Sequence, residues 1–176
     1  ADPALLNRIV RSVRAAVPAA VPVSAKMRLG ISDTSRAIDC ARALVEGGAA
    51  SLVVHARTKD DGYRPPAHWE WIARIAESVA VPVIANGEVW TVDDWQRCRA
   101  VSGCADVMIG RGAVADPFLA LRIKGAADSR PSLDDWHALV PHIVDYWQKV
   151  QRRTFAVNAS GRLKLLLSHF RRTWPE

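Results

Sequence analysis

The chain has 176 residues, of which 49% are hydrophobic and 24% are charged. This length suffices for one hydrophobic core with a small appendage and excludes two full-size enzyme domains. The composition excludes a disordered chain, a collagen-like repeat and a disulfide-stapled miniprotein. The three cysteines, Cys40, Cys98 and Cys104, have no metal-ligand spacing, so they predict structural thiols, no metal site and a location in the reducing cytoplasm. The chain has no run of about 18 apolar residues, so a membrane span is not expected.

The formal net charge of +6 is concentrated in the last third of the chain. Residues 118–176 hold 10 Lys and Arg against 5 Asp and Glu, whereas residues 1–117 hold 14 against 13. Between Tyr146 and Pro175 there is no acidic residue. A dense positive charge is typical of surfaces that bind polyanions, so a polyanion is the expected partner of this segment.

Short runs rich in Val and Ile alternate with longer amphipathic stretches before residue 112. The runs predict strands at 21–27, 51–55, 81–85 and 106–109. The stretches around them predict helices at 3–17, 35–48, 66–79 and 92–101. Asp2 and Pro3 are an N-cap residue followed by a proline in the first helical position, so the first helix begins almost at the first residue. The chain is therefore expected to start inside a larger architecture.

Strands separated by helices predict a parallel sheet, in either a doubly wound fold or a (β/α)8 barrel. The glycine signature of the doubly wound nucleotide-binding folds, G-x-G-x-x-G, is absent. Polar residues follow every predicted strand, which is where (β/α)8 barrels keep their active sites. We therefore predict an α/β fold with about half of a (β/α)8 TIM barrel over residues 1–117, followed by a small all-helical domain over residues 118–176.

The predicted helical domain contains two long amphipathic segments, at 133–151 and 158–173. The apolar positions expected to form the buried face of the first segment are Trp136, Leu139, Val140, Ile143, Val144 and Trp147. Those expected inside on the second segment are Leu163, Leu165, Leu166, Leu167 and Phe170. The basic residues of this part are expected on its outside, where they form the surface for the polyanion.

Cations and a histidine follow the first two predicted strands. Lys26 and Arg28 alternate along one strand end, so their side chains point to the same side. Because an unpaired buried charge is costly, the pair predicts either an anionic ligand or a salt bridge at the barrel rim. His55 and Arg57 repeat this arrangement on the next strand, and His55 is either a donor or acid at a ligand such as a flavin ring, or a hydrogen-bonded structural group.

Small residues follow the last two predicted strands. Asn86, Gly87 and Glu88 come after the third strand, and Gly110 and Arg111 come after the fourth. Turns of this composition expose backbone N–H groups, and an arginine can grip a phosphate with two hydrogen bonds. The two turns together predict a phosphate-binding site at the mouth of a barrel.

Three tryptophans, Trp69, Trp71 and Trp90, flank the predicted mouth. Two interpretations stay open for them. They stack on a base or a flavin, or they pack helices against the barrel.

Five segments, in this order, resemble the tRNA-dihydrouridine synthases. They are Lys26–Gly30, Val54–Lys59, Gly62–Arg64, Pro82–Glu88 and Val107–Gly112. Three further segments look most like the bacterial C-type branch, which modifies uridine 16: residues 62–75, Ser102–Cys104 and Gly161–Lys164. The resemblance implies the C-terminal half of an FMN-binding TIM barrel, followed by a helical domain that binds tRNA.

The resemblance also implies a reaction, in which NADPH reduces FMN and a hydride passes from the flavin to C6 of an extruded uridine, giving 5,6-dihydrouridine. It implies that Lys26 contacts the flavin ring and that His55 lies against the same cofactor. It implies that the ribityl phosphate is held by Asn86, Gly87, Glu88, Gly110 and Arg111. Arg28 and Arg57 would face the substrate uridine or its phosphate. The cations expected to bind tRNA are Arg152, Arg153, Arg162, Lys164, Arg171 and Arg172.

The sequence departs from the family at the proton donor. The family uses a cysteine in an Asn-x-Gly-Cys-Pro motif on an earlier strand, and this chain has neither the motif nor the first flavin-binding strand. We therefore expect no catalytic residue in this chain and a fragment that does not turn over. Two alternatives stay open: a non-catalytic RNA-binding module, and another FMN barrel oxidoreductase such as a dihydroorotate-dehydrogenase-like enzyme. The basic helical tail speaks against the second.

Overall fold

A computed structural model describes residues 2–175, except for the side chain of Ala156. These residues form two compact units. The first comprises the residues up to Val89 together with Asp93–Ile109, and the second comprises Trp90–Val92 together with the residues from Gly110 onwards. The division after Ile109 precedes the domain boundary that the sequence predicts at residue 117. The assignment of a flavin-binding and a tRNA-binding domain to the two parts stays a prediction.

The first unit alternates helices and strands. Its elements are α1 (Pro3–Ala16), β1 (Ser24–Arg28), α2 (Ala37–Glu46), β2 (Ser51–His55), α3 (Trp69–Ser78), β3 (Val83–Asn86), α4 (Val92–Ser102, whose first residue belongs to the second unit) and β4 (Val107–Met108). Every predicted strand and helix of this part is present, with ends shifted by a few residues. The Asp2 carboxylate accepts a hydrogen bond from the Ala4 N–H at 3.0 Å, which confirms the predicted N-cap of α1.

The four strands form one parallel sheet in the order β1-β2-β3-β4. Since neighbours in the sheet are also neighbours in sequence, each of the first three strands is followed by a helix that crosses back to the start of the next strand. The register aligns the strand ends, with Arg28 beside His55, His55 beside Asn86, and Asn86 beside Met108. The predicted α/β fold with a parallel sheet is confirmed.

The core of the first unit lies around β2. Leu52 and Val54 are fully buried, and Val53 between them is also buried, so neither face of this strand meets solvent. Such continuous burial is typical of parallel strands covered by helices on one side and enclosed by side chains on the other. Ile72 and Ile75 of α3 contribute to the same core. This buried strand carries His55 at its end and so fixes the position of the polar residues that follow.

The second unit is helical. Its helices are α5 (Arg111–Ala115), α6 (Leu119–Ile123), α7 (Leu133–Arg153) and α8 (Ala156–Phe170). The two long helices agree with the predicted segments. The two short ones escaped prediction because five residues are too few to show a periodic apolar stripe. Within residues 2–175, even the longest helix is too polar to cross a bilayer.

Arg122 links the start of α7 to the loops before it. It is 4% exposed, and its guanidinium group donates to the carboxylates of Asp116 and Asp135, each at 2.7 Å. A further guanidinium nitrogen donates to the backbone carbonyls of Asp128 and Arg130 at 2.7 and 3.0 Å. The two carboxylates therefore neutralise the buried charge. The Arg122 side chain joins α6 to Asp116 before it, to the loop after it and to the start of α7.

Asp135 also completes the N-terminal cap of α7. Its carboxylate accepts from the Ser132 N–H at 2.9 Å, while the Ser132 hydroxyl accepts from the Asp135 N–H at 3.1 Å. Burial alone raises the pKa of the Asp135 carboxyl, but the hydrogen bonds from Arg122 and Ser132 outweigh it and hold this pKa below its ordinary value of 3.8. Asp135 thus stabilises the unit in its ionised form.

Aromatic side chains join α7 to the end of α8. The ring centroids of Trp136, Phe170 and Trp174 lie 5.7–6.2 Å apart, and the Trp174 indole N–H donates to the Ser132 carbonyl at 3.0 Å. Trp136 is half-buried and packs against the other two rings, which agrees with its predicted packing role. The burial predicted for four aliphatic residues is wrong, because these are 36–62% exposed: Val140, Val144, Leu165 and Leu167. On α8, Leu163, Leu166 and Phe170 recur at helical spacing and form the inner stripe, and at about 100° per residue their neighbours turn outward.

The Asp135 carboxylate gives a test of the second unit. Asp135→Asn in the full-length protein removes the negative charge beside Arg122 and weakens the cap, so we expect the free energy of unfolding at pH 7 to fall by about 1–2 kcal/mol. The folded pKa is depressed, so the carboxylate stabilises the protein above its ordinary pKa of 3.8 and loses this effect as the pH falls through the folded value. The difference between the wild type and the variant, measured by urea unfolding, therefore shrinks below pH 3.8.

Asp145→Asn is the matched control. Asp145 pairs with Lys149 one helical turn away, and both side chains are more than half exposed. This variant is expected to change the free energy of unfolding by less than about 0.5 kcal/mol. Equal losses in the two variants would contradict the role given to Asp135.

Candidate functional site

The predicted polar residues of the first unit gather at the carboxyl ends of the strands. Lys26 and Arg28 lie in the last part of β1, His55 ends β2 and Asn86 ends β3. The parallel register places these ends side by side at one edge of the sheet. The edge is the place where α/β proteins of this kind bind ligands.

Lys26 and Asn86 form a hydrogen-bonded chain across the strand ends. The Lys26 ammonium donates to the Asn86 side-chain oxygen at 2.7 Å, and the Asn86 amide nitrogen donates to the Met108 carbonyl at 2.8 Å. Burial and the nearby Arg28 charge lower the pKa of Lys26 below its ordinary value of 10.5. A cation that is partly removed from water beside a second cation favours an anionic ligand at this edge.

Arg57 lies at the centre of the loops that follow β2 and β3. Its side chain is fully buried, forms an ion pair with Glu88 and donates from Nε to the Pro66 carbonyl at 3.2 Å. Among the described residues its third guanidinium nitrogen has no hydrogen-bond partner. The sequence predicts that Arg57 faces a substrate. The structure instead encloses this side chain, and the Glu88 carboxylate neutralises the charge of the buried guanidinium group.

Gly87 allows the loop after β3 to pass close to His55. Its φ is +124°, a conformation that residues with side chains rarely adopt, and a Cβ atom there would lie 3.0 Å from Cδ2 of His55. The Trp69 indole N–H donates to the Gly87 carbonyl at 2.9 Å from a buried position, which agrees with the packing interpretation for this tryptophan. Glu88 follows with a φ of +56°, so two consecutive unusual conformations are held in place.

Arg28 stabilises the turn after β2. Its guanidinium group donates to the carbonyls of Thr58 and Gly62 at 2.7 and 2.9 Å, and its carbon Cζ lies 5.3 Å from the Tyr63 ring centroid. The Tyr63 ring is also 6.0 Å from the His55 ring and is 60% exposed. Arg28 therefore fixes an exposed aromatic ring beside the strand ends, and its contact with a substrate stays a prediction.

The remaining predicted site residues belong to the second unit. Gly110 precedes α5, and Arg111 is the first residue of that helix. A Cβ atom on Gly110 would meet no other described residue within 4 Å. Arg111 is half-buried, with its guanidinium carbon 4.9 Å from the centroid of Trp90. The six cations predicted to bind tRNA are all exposed: Arg152, Arg153, Arg162, Lys164, Arg171 and Arg172.

The three cysteines lie away from solvent. Cys40, Cys98 and Cys104 are at most 6% exposed and form no disulfide with one another. Burial raises the pKa of all three thiols, that of Cys98 to about 12. A buried thiol with a raised pKa is a poor nucleophile and a poor proton donor, which agrees with their prediction as structural residues.

The sequence does not predict the pairing of Arg57 with Glu88. Both residues were expected at the site, but with separate ligands. The signal that would have found the pair is their position, since opposite charges directly follow two strands that lie side by side in a parallel sheet.

Gly87 provides a test of this loop. Gly87→Ala forces a side chain into a strained conformation and against His55, so we expect the free energy of unfolding of the full-length protein to fall by about 2–3 kcal/mol. Gly62→Ala is the control, because Gly62 has a φ of +58° but open space around its Cα among the described residues. Its expected loss is about 1 kcal/mol. Thermal and urea unfolding measure both variants, and an equal loss would show that the His55 contact is unimportant.

The chain is similar to curated proteins along nearly its whole length. The tRNA-dihydrouridine(16) synthase of Cupriavidus necator is 68% identical to it over 175 residues, which cover 99% of this chain and 54% of that protein. The proteins of the same name from Ralstonia nicotianae and Pseudomonas putida are 66% and 53% identical and cover 100% and 99% of this chain. In both, the match again spans 54% of the relative, so the chain spans about half the length of these curated relatives.

A family profile gives the same assignment. The profile described as Dihydrouridine synthase (Dus) matches residues 1–174. This match extends over both units, including the strand ends of the first and the basic helices of the second. The chain belongs to the dihydrouridine synthase family.

Proposed function

We propose that this chain is part of an enzyme that binds FMN and reduces uridine to 5,6-dihydrouridine in tRNA, with NADPH as the reductant and the uridine at position 16 as the modified nucleotide. A tRNA-modifying enzyme of this kind acts in the cytoplasm. The observation that carries the proposal is the 68% identity to a tRNA-dihydrouridine(16) synthase over 99% of the chain.

The strand ends of the first unit have properties that suit an anionic, planar cofactor. The Lys26 cation has a lowered pKa, so a bound anion would stabilise its charged form. Gly87 leaves no side chain between the loop and His55. These features support the assignment of a flavin to this edge of the sheet.

Different residues are assigned to the ring and to the phosphate of the flavin cofactor. Lys26 would contact the flavin ring from β1, and His55 would lie against it from β2. The family resemblance assigns Asn86, Gly87 and Glu88 to the ribityl phosphate, and it gives the same role to Gly110 and Arg111. When bound, the flavin supplies the hydride that reduces the uracil ring. The chain's own contribution is to orient the cofactor and to place positive charge beside it.

The proton for the reaction is assigned to a residue outside this chain. The three cysteines are buried and their thiol pKa values are raised, so they neither reach a substrate nor release a proton readily at neutral pH. The 176 residues by themselves are therefore expected to be inactive.

The surface cations of the second unit are assigned to tRNA. Arg152 and Arg153 end α7, and Arg162 and Lys164 lie on α8. Arg171 and Arg172 follow that helix. Their side chains are exposed, and such cations release condensed counterions when they bind phosphates.

Flavin binding and tRNA reduction by the full-length protein test the proposal. We expect a flavin absorbance spectrum, and, with NADPH and unmodified tRNA, a uridine at position 16 that gains two hydrogens by mass spectrometry. Lys26→Met removes a charged hydrogen-bond donor and is expected to weaken flavin affinity about tenfold or more. Lys59→Met is the control, because Lys59 is an exposed cation just beyond β2. A colourless protein that still binds tRNA would favour the RNA-binding module and overturn the enzyme assignment.

Charge reversal tests the assignment of the basic surface. The triple variant Arg152→Glu, Arg153→Glu and Arg171→Glu is expected to weaken tRNA binding by more than tenfold at 0.1 M salt and to leave flavin content unchanged. The dependence of the affinity on salt concentration should also become less steep.

The matched control reverses three exposed arginines of the first unit, Arg8, Arg11 and Arg42. It changes the net charge by the same amount, so an equal loss of tRNA affinity would show that only total charge matters. Fluorescence anisotropy of labelled tRNA at several salt concentrations measures both variants.

A further inference from the structure

Trp90 contacts two arginines of the second unit. The guanidinium carbon of Arg172 lies 3.8 Å from the centroid of the indole ring, and that of Arg111 lies 4.9 Å from it. Both distances are within the range of about 6 Å in which an aromatic ring attracts a cation. Trp90 directly follows the loop that contains Gly87 and Glu88 in the chain.

The two arginines come from distant parts of the sequence. Arg111 begins α5, whereas Arg172 lies in the turn that follows α8. Because both approach one ring, the two positive charges are separated by less than about 10 Å, which is one Debye length at 0.1 M salt. Like charges at this separation repel each other, and the electron-rich ring of Trp90 offsets part of this repulsion.

Two of the other pairs of arginine and tryptophan have a simpler origin. Arg74 lies 3.9 Å from the Trp71 ring centroid, and Arg99 lies 4.9 Å from that of Trp95. In each case the two residues are three or four positions apart on one helix, so helical geometry alone brings them together. The contacts of Trp90 instead require the tertiary fold, as does the 5.7 Å contact of Arg97 with the Trp69 ring centroid. Of these rings, Trp90 is the one whose two arginines come from separate segments.

The two arginines are assigned to different phosphates. Under the proposed function, on which this inference rests, Arg111 binds the phosphate of the flavin cofactor and Arg172 binds a phosphate of the tRNA backbone. We propose that Trp90 is a positioning residue that holds both guanidinium groups in place for these phosphates. A flexible arginine loses side-chain entropy when it binds, and the ring reduces this loss by ordering both side chains beforehand.

A comparison of Trp90→Leu with Trp90→Phe in the full-length protein tests the proposal. Leu is apolar but has no aromatic face, whereas Phe keeps one. Trp90→Leu is expected to weaken both FMN affinity and tRNA affinity by about threefold each, and Trp90→Phe is expected to restore most of both. The slope of the tRNA affinity against salt should fall by about one counterion in Trp90→Leu, because one phosphate contact is lost. Trp95→Leu is the control, since it removes a contact between an arginine and a tryptophan at 4.9 Å in the first unit.

A double variant tests whether Trp90 acts through Arg172. Arg172→Ala is expected to weaken tRNA binding in the wild type but to have little further effect in Trp90→Leu. Additive effects would overturn the proposal, as would equal behaviour of the Leu and Phe variants or affinities in Trp90→Leu that match those of Trp95→Leu. If the wild type bound neither FMN nor tRNA, the proposed function would fail first, whereas normal wild-type binding with an unaffected Trp90→Leu would reject only the role of Trp90.

Discussion

A buried guanidinium group must find a counter-charge within reach, and Arg57 finds it in Glu88. The ion pair joins the loop after β2 to the loop after β3. Removing one partner of such a pair leaves the other charged and desolvated, at a cost of about 3–5 kcal/mol. The pair therefore holds Glu88 at its positive φ of 56° and, with the Trp69 hydrogen bond to Gly87, keeps the loop against His55. The position of the loop after β3 at the candidate flavin site therefore depends strongly on this ion pair.

The second unit also contains a buried arginine paired with carboxylates, but the hydrogen bonds of this arginine are complete. Arg122 is also buried, but two carboxylates and two carbonyls satisfy its three nitrogens. Arg57 has one carboxylate and one carbonyl, and its remaining nitrogen has no partner among the described residues. Buried polar groups in native proteins are nearly always satisfied. A fully satisfied arginine suits a structural junction, and Arg57 differs from it by one buried nitrogen that the described residues leave without a hydrogen bond.

The sequence predicts the strands and long helices well, because β2 and its neighbours are short Val-rich and Ile-rich runs and α7 and α8 have periodic apolar positions. It fails where the decisive interaction is tertiary. Arg57 carries no local sign that its charge points inward, and Leu165 and Leu167 look as apolar as the leucines that α8 places inside. The same limit applies to Trp90, since no spacing in the sequence relates it to Arg111 and Arg172. Resemblance to the family predicts the residues of the site, but the contacts between them come from the fold.

In the proposed enzyme, attraction of the tRNA backbone and choice of the base would depend on different residues, because the positive charge of the chain is unevenly distributed. Phosphate contacts by surface cations position a nucleic acid but carry little sequence information. Under the proposed function, the basic residues of α7 and α8 would therefore supply affinity that falls with salt and hardly depends on the nucleotide bound. Choice of a base requires contacts with the base itself, after it has left its stack. In the first unit Arg28 and Arg57 are engaged with carbonyls or a carboxylate, so they add little to general attraction of a polyanion. Their charges instead fix the loops around the strand ends, where an extruded uridine would have to meet the flavin.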